Sequence, residues 1–324
     1  MSSKRLLLMV PFFLLATLAF WAYRGEAQPG TVKNISPGVW FREGEQAAMG
    51  HCNNIFIEMK DYLIVVDANF PSGARLALED IKKLSSKPVK YVFDTHHHGD
   101  HAYGNPIWTQ AGATTLAYVG VAEEMKRYEP MRWQGTIQQR KDVADMKLDT
   151  VEPPMKTFKE SPFVLEDETR RVEFHHFGWA HTRGDAFVYL PKEKIICTGD
   201  AIVNGPFNYT GDGNTLNWPS VIAAVKRLDI ERVLPGHGGP GGPEIINGQL
   251  QFFRELTQAA QSAVDAKKSV TDIVKLEGNA AVSTSIKLSD SVSNWVGDSL
   301  AEQIRVVYEE ISTGKPHGEI LGGK

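Results

Sequence analysis

Cysteine is scarce. The 324 residues hold two, Cys52 and Cys197, which excludes a disulfide framework and any zinc site built on thiolates. A metal held by this chain is therefore held through nitrogen and oxygen. Positive charge is not in excess either: 35 Lys and Arg stand against 39 Asp and Glu, a formal charge of −4. That sign is wrong for a binder of polyanions, so nucleic acid is set aside as a partner. No low-complexity linker and no solenoid-type period divides the chain. With 42% hydrophobic and 23% charged residues, disorder, collagen and coiled coil are excluded, and a large core can be buried.

The first 27 residues read as a leader and not as part of the fold. Lys4 and Arg5 precede an apolar run from Leu6 to Trp21, and Gly25-Glu26-Ala27 offers small residues where a signal peptidase reads. Export with cleavage after Ala27 is expected, giving a periplasmic or secreted protein. The alternative is an uncleaved membrane anchor, because the run falls only just short of the ~20 residues that span a bilayer. Removing Lys4, Arg5, Arg24 and Glu26 takes away a net charge of +2 and leaves −6 on the mature chain.

Residues 28–324 read as one domain that ends in helices. Short apolar runs rich in Val, Ile, Phe and Tyr predict strands at 38–42, 54–59, 62–66, 89–93, 114–117, 171–176, 186–190, 194–197 and 232–234. A helix is predicted over 72–84, with Ser72 as its cap and Leu76, Ala77, Ile81 and Leu84 on one face, and another over 100–111. Pro243 opens a longer one on which Ile246, Leu250, Phe253, Leu256 and Ala260 recur at helical spacing. A last helix buries Leu300, Ile304, Val307 and Ile311 before Gly314 stops it. The fold class is α/β with a mixed sheet system.

Chemistry concentrates after the strand at 89–93, in Thr95-His96-His97-His98-Gly99-Asp100-His101. Alternation at a strand end sends His96 and His98 to one side and His97 to the other. Asp100 and His101 follow where the chain turns into a helix and approach a neighbouring point from another direction. Neutral imidazoles and carboxylates suit a borderline dication, and a coordination position left open to water marks a catalytic site.

The pattern His96-x-His98-x-Asp100-His101 at a strand end resembles the signature of the metallo-β-lactamase superfamily. The likeness continues in the family's order through Gly178 to Asp185 with His181, then Thr198-Gly199-Asp200, then Leu234-Pro235-Gly236-His237-Gly238. Upstream, Val65-Val66-Asp67 is similar to the family's structural aspartate. The resemblance implies a four-layer αβ/βα sandwich with the site at the edge between two sheets. It assigns His96, His98 and His181 to one metal, and Asp100, His101 and His237 to a second, with Asp200 bridging. Two zinc ions are the implied cofactors; iron or manganese tolerates the same ligands. Asp185 is read either as an acceptor for an imidazole N–H or as a turn residue.

Other candidates take plainer readings. His97 faces away from the metals, and His51, His175, His176 and His317 stand outside the ligand set. Cys197 reads as a buried, inert thiol. Across residues 120–167, Tyr128, Met131 and Trp133 are read either as an apolar lid or as core packing, with Trp179, Phe207 and Tyr209 as a further wall.

The implied activity is hydrolysis of an ester, lactone, thioester or amide bond in a small molecule, by water whose pKa two dications lower from about 15.7 to about 7. Asp100 is the candidate catalytic residue, orienting the water and taking up its proton. An aspartate at position 200, where β-lactamases proper generally carry cysteine or serine, moves the expectation away from β-lactams. The alternatives are a β-lactamase proper and an iron-dependent persulfide dioxygenase with a single metal held by two histidines and an aspartate. Nuclease branches carry an extra domain, and flavodiiron branches need a glutamate where His98 stands. Nothing in the sequence fixes an oligomeric state.

Overall fold

The computed structural model describes residues 30–321, so the leader and its cleavage after Ala27 lie outside the described residues. The chain opens with β1 (Val32–Ser36), β2 (Val39–Arg42), a single helical turn α1 (Gln46–Met49), β3 (Asn54–Glu58) and β4 (Leu63–Val66). Helix α2 (Pro71–Leu84) leads into β5 (Val89–Asp94), two short helices α3 (Gly99–Ala102) and α4 (Asn105–Gln110), and β6 (Thr114–Tyr118). After α5 (Val119–Gln139) and α6 (Lys141–Ala144), β7 (Lys156–Phe158) completes a seven-stranded sheet in sequence order. Its pairings from β4 onward are parallel.

The second sheet holds β8 (Phe163–Glu166), β9 (Arg171–His175), β10 (Phe187–Leu190), β11 (Ile195–Gly199) and, after helix α7 (Trp218–Val225), β12 (Arg232–Pro235). Its order is β12-β11-β10-β9-β8, with β11 and β12 parallel. The chain continues with α8 (Pro243–Asp265), the hairpin of β13 (Val274–Glu277) and β14 (Ala280–Thr284), then α9 (Leu300–Thr313) and α10 (His317–Leu321).

Period-two alternation builds the layers. Ile55, Ile57, Ile64, Val66 and Phe93 face Phe174, Val188, Leu190, Cys197 and Leu234 in a core between the sheets. The intervening Phe56, Leu63, Val65 and Val92 turn outward onto α2 and α4. On the other sheet, Phe187, Ile196 and Val233 turn outward onto α7, α8 and α9. Both faces of each sheet are thus covered, the αβ/βα sandwich, and strands buried on both faces read as continuous apolar runs.

Three readings need correction. Ser72 does not cap α2: Phe70 holds that position and Pro71, which has no N–H to satisfy, opens the helix. Ser72 Oγ instead donates to Asp142 Oδ2 at 2.6 Å, and Leu76 is exposed. The helix expected over 100–111 breaks at Gly104, where a Cβ would collide with the Ala68 carbonyl. Finally, residues 120–139 belong to helix α5 and form no lid: Trp133 is buried beside Tyr103, the core-packing reading, and Met131 points to solvent.

The sheets are tied together where β5, β11 and β12 end. Asn53 N donates to the Gly236 carbonyl at 2.8 Å, and its side-chain amide donates to the carbonyls of Pro235 and Gly238, both at 2.9 Å. Ala186 N donates to the Thr95 carbonyl at 2.9 Å. Gly199 has φ +49°, and a Cβ there would run into Thr95.

Candidate metal centre

Carboxyl ends of parallel strands are where open α/β sheets bind ligands, and all seven candidate ligands meet there. The end of β5 delivers His96 and His98, α3 delivers Asp100 and His101, the β9–β10 loop delivers His181, and the ends of β11 and β12 deliver Asp200 and His237. His98 Nδ1 lies 3.1 Å from His96 Nε2 and 2.9 Å from His181 Nε2. His237 Nε2 lies 3.0 Å from Asp100 Oδ2 and 3.4 Å from His101 Nε2. Asp200 stands between the groups, with Oδ1 3.3 Å from His101 Nε2 and Oδ2 3.3 Å from His237 Nε2. The same Oδ2 is 4.0 Å from His96 Nε2 and 3.9 Å from His181 Nε2.

Outer partners decide which nitrogens carry protons. Thr95 Oγ1 donates to Asp67 Oδ1, so at 3.1 Å it accepts from His96 Nδ1. His181 Nδ1 donates to the Tyr209 carbonyl at 2.9 Å, and His98 Nε2 donates to Asp212 Oδ2 at 2.8 Å. The inward nitrogen of His98 therefore presents its lone pair to those of His96 and His181 at hydrogen-bond distance with no hydrogen between them. That is unfavourable without a cation and is the preorganisation a cation needs. On the other side, His101 Nδ1 donates to Asp67 Oδ2 at 2.9 Å, and the buried Asp200 Oδ1 has no hydrogen-bond partner. The donor set fits dications of the zinc, iron or manganese kind.

Electrostatics divides the site in two. Burial, then neighbouring imidazoles, holds His96 well below the usual histidine range, and burial followed by His98 lowers His181 to about 3. These rings stay neutral and ready to coordinate. Burial also opposes charge on His237, but Asp200 and Asp100 outweigh it and raise the group to about 9. Asp100 is held far below the carboxylate range, His101 and His237 overcoming its burial.

Behind His98 lies a buried polar cluster that sequence reasoning missed. Asp212 accepts from Arg132 through both oxygens, at 2.6 and 2.7 Å, as well as from His98. His97 sits in this outer layer, its Nε2 3.6 Å from Asp212 Oδ2 and its ring stacked on Tyr128. Asp67 orients His101, whereas Asp185 is no imidazole partner. It clamps its loop, accepting from the backbone N–H groups of Ala180, His181 and Thr182 and from Thr182 Oγ1. His51, His175, His176 and His317 bond elsewhere, to Ser72, Glu173, the Asp185 carbonyl and the Gly211 carbonyl. Cys197 is buried between the sheets, and burial pushes its thiol up.

The centre opens into a cavity of about 720 Å³. Phe70, Tyr103, Phe207 and Tyr209 supply aromatic walls, and Glu129, Arg132, Thr136 and Gln139 of α5 line another side. Tyr128, Met131, Trp133 and Trp179 do not line it: Tyr128 OH donates to the Gly318 carbonyl and Trp179 Nε1 to the Asp212 carbonyl. Glu129 is buried and accepts the Tyr103 hydroxyl.

A two-sheet sandwich with helices outside and a histidine–aspartate centre at its strand ends defines a class of metal-dependent α/β proteins. Within that class the chain belongs to the metallo-beta-lactamase superfamily, whose family model matches residues 48–237, more than half of its length. It is similar to the 2,4-dinitroanisole O-demethylase subunit alpha of Nocardioides sp. (strain JS1661), 24% identical over 230 residues, covering 69% of this chain and 63% of that one. A metallo-beta-lactamase type 2 of Bacteroides fragilis is 26% identical over 93 residues, covering 27% of this chain and 37% of that one. The chain thus spans less than two thirds of either curated relative. Among solved structures, a metallo-beta-lactamase from Pontibacter korlensis has a TM-score of 0.57 at 20% identity, covering 69% of this chain and 98% of that one. The FIM-1 metallo-beta-lactamase of Pseudomonas aeruginosa has a TM-score of 0.56 at 22% identity, covering 70% and 96%. These likenesses show the fold.

Proposed function

We propose that the protein is an exported hydrolase that holds two dications, zinc as the first choice, and cleaves an ester, lactone, thioester or amide bond in a small molecule. The observation that carries this reading is the convergence of three imidazole lone pairs beside an acidic second group that shares Asp200. His96, His98 and His181 would hold one ion, Asp100, His101 and His237 the other, and Asp200 would touch both. Bound dications supply a nucleophilic water at neutral pH and polarise the carbonyl to be attacked.

The chain's own residues do the rest. Asp100 faces the cavity as an ionised carboxylate, placed to orient water and accept its proton. Phe70, Tyr103, Phe207 and Tyr209 give a flat, apolar ligand surfaces to stack on and exclude water from the attacked bond. The aromatic walls also suit the compound in the name of the demethylase relative, so 2,4-dinitroanisole belongs among the test substrates.

Metal analysis of the purified chain, followed by a panel of lactone, thioester, ester, β-lactam and 2,4-dinitroanisole, tests the reading. Two zinc ions per chain with turnover of a carboxylic substrate supports it. One iron per chain with oxygen uptake and no hydrolysis would replace it with the dioxygenase reading. Export rests on the Lys4 to Ala27 pattern; an exported chain beginning at Gln28 supports it, and an intact chain in the cytoplasm refutes it.

A further inference from the structure

A second cavity, of about 630 Å³, adjoins the first through Tyr209, which lines both. Apart from the 208–211 stretch, its walls lie beyond the family match, on Val270, the β13–β14 hairpin, Ser299 with α9, and the start of α10. Four side-chain polar atoms of its lining residues are buried without a hydrogen-bond partner: both amide atoms of Asn208, Gln303 Oε1, and His317 Nε2, which is set against the Glu309 carboxylate. Asn208 and Gln303 are each 1% exposed. Burying such groups unpaired is unfavourable, so a molecule that completes them is held the more tightly for it.

The donor count specifies the molecule. Asn208 offers one acceptor and one N–H edge, and Gln303 offers a second acceptor because its Nε2 already donates to the Asn208 carbonyl at 2.6 Å. The complement is one carbonyl and two N–H groups, which a primary carboxamide supplies, its oxygen and syn N–H on one edge and its second N–H on the adjacent one. Charge is not what the site lacks. Arg305 is engaged by Glu302 and Glu309, and His317 Nε2 lies 3.6 Å from Glu309. An anion would set further acceptors against Asn208 Oδ1, Gln303 Oε1 and two carboxylates. Val270, Leu276 and Tyr209 provide apolar wall for the body of the molecule.

The loop between the cavities is bonded from both sides. Asn208 and Gly211 carbonyls accept from Gln303 and His317, while the Tyr209 carbonyl accepts from His181 and the Asp212 carboxylate from His98. A shift of this loop moves the partners of two of the three rings at the first metal position.

We propose that this cavity is a binding site for a small neutral molecule bearing a carboxamide edge on an apolar body, and that its occupancy is linked to metal affinity at the first position. The linkage half rests on the metal-centre reading; the binding half does not. Linkage is reciprocal, so zinc changes the affinity of the second ligand by the same factor.

Benzamide is the probe and benzoate its control, titrated calorimetrically into the full chain without metal and with zinc. Benzamide is expected to saturate one site on the metal-free chain, at least tenfold more tightly than benzoate. Asn208→Leu and, as a second variant on a regular helix, Gln303→Met should each weaken it at least tenfold while melting cooperatively. At saturating benzamide the zinc affinity of the first position should change at least threefold. Benzamide bound equally by both folded variants, or a crystal soak with ordered water alone at Asn208 and Gln303, overturns the site. Binding with unchanged zinc affinity overturns the linkage. A chain that binds no zinc overturns the metal-centre reading, and the metal-free titration still decides the site.

Discussion

Asp212→Asn is the most informative single change, because it leaves every candidate metal ligand in place. The carboxylate takes His98 Nε2–H at 2.8 Å and Arg132 at 2.6 and 2.7 Å. An asparagine has one carbonyl oxygen for these donors. Its amide N–H group must therefore face either the imidazole or the guanidinium, donor against donor. A hydrogen bond to a charged group, worth about 1.5–3 kcal/mol, is lost. With its oxygen at the Oδ2 position the amide keeps His98 and one Arg132 bond but sets its N–H against the other guanidinium nitrogen. With its oxygen at the Oδ1 position it keeps one Arg132 bond and frees the His98 ring. In either case the guanidinium is left without its paired anion beside that ring. Loss of such an outer partner typically weakens metal binding about 10- to 100-fold, or about 1.4–2.8 kcal/mol. The first metal position should lose that much affinity, and the position built on Asp100, His101 and His237 should lose less, since Asp212 does not reach those residues. Zinc competition against a chromophoric chelator resolves the two affinities, and thermal unfolding of the metal-free variant checks the fold. First-site affinity within twofold of the parent, in a variant that unfolds cooperatively, would refute the role assigned to Asp212.

Four further outcomes are expected. Asp200→Asn should keep the fold but lower occupancy at one or both positions by elemental analysis, because the shared negative charge is gone; unchanged occupancy and activity would show that Asp200 is not a ligand. Asp100→Ala, compared at matched metal content, should lose far more kcat than substrate affinity, since its contribution grows as charge develops in the transition state; near-parental kcat would remove it from the chemistry. Gly236→Ala should empty the second position without unfolding the chain, because a Cβ there would clash with Asp200 Oδ1 and come 2.8 Å from His101 Cε1; full occupancy in a zinc titration would contradict this. Burial, against the opposing Tyr103 and Arg132, raises Glu129 from 4.5 to about 7. The folded state then binds more protons than the unfolded one between those values, and stability falls as pH rises through that window. Glu129→Gln removes this penalty, by at most about 3 kcal/mol. Urea unfolding should therefore show it gaining on the parent between pH 5 and pH 8, and a constant difference would refute the assignment.

The seven candidate ligands were legible because each follows a short apolar run, so the motif order alone placed them at strand ends. Their supports were not. Asp212 lies 114 positions from His98 and in no regular element, so only the closed fold reveals that it touches the ring. Asp67 could be matched to the family aspartate, but its bond to His101 follows from a backbone at φ +66°. Asp185 has the right spacing for an imidazole partner, yet its carboxylate is taken by backbone N–H groups of its own loop. Helix α5 escaped notice because Gly120, Pro130 and Gly135 interrupt its pattern. Strands β1 and β13 are too polar to stand out, reading VKNIS and VKLE, since each presents most of its residues away from the core.

The bonds from Asn53 to Pro235 and Gly238 also set an order of assembly. They span 182 and 185 positions, and contacts of that separation close slowly because a long loop must be ordered first. Four donors, His96, His98, Asp100 and His101, are already present in a chain synthesised only to residue 101, whereas His181, Asp200 and His237 come later. An ion that meets the chain before the Asn53 latch closes finds a loose set of imidazoles, which favours copper(II) by intrinsic affinity. Once the latch has closed, the choice passes to the shape of the finished cage. On the metal-centre reading, which ion fills the site would depend partly on when the chain first encounters it, and the compartment where folding is completed would help determine what is bound.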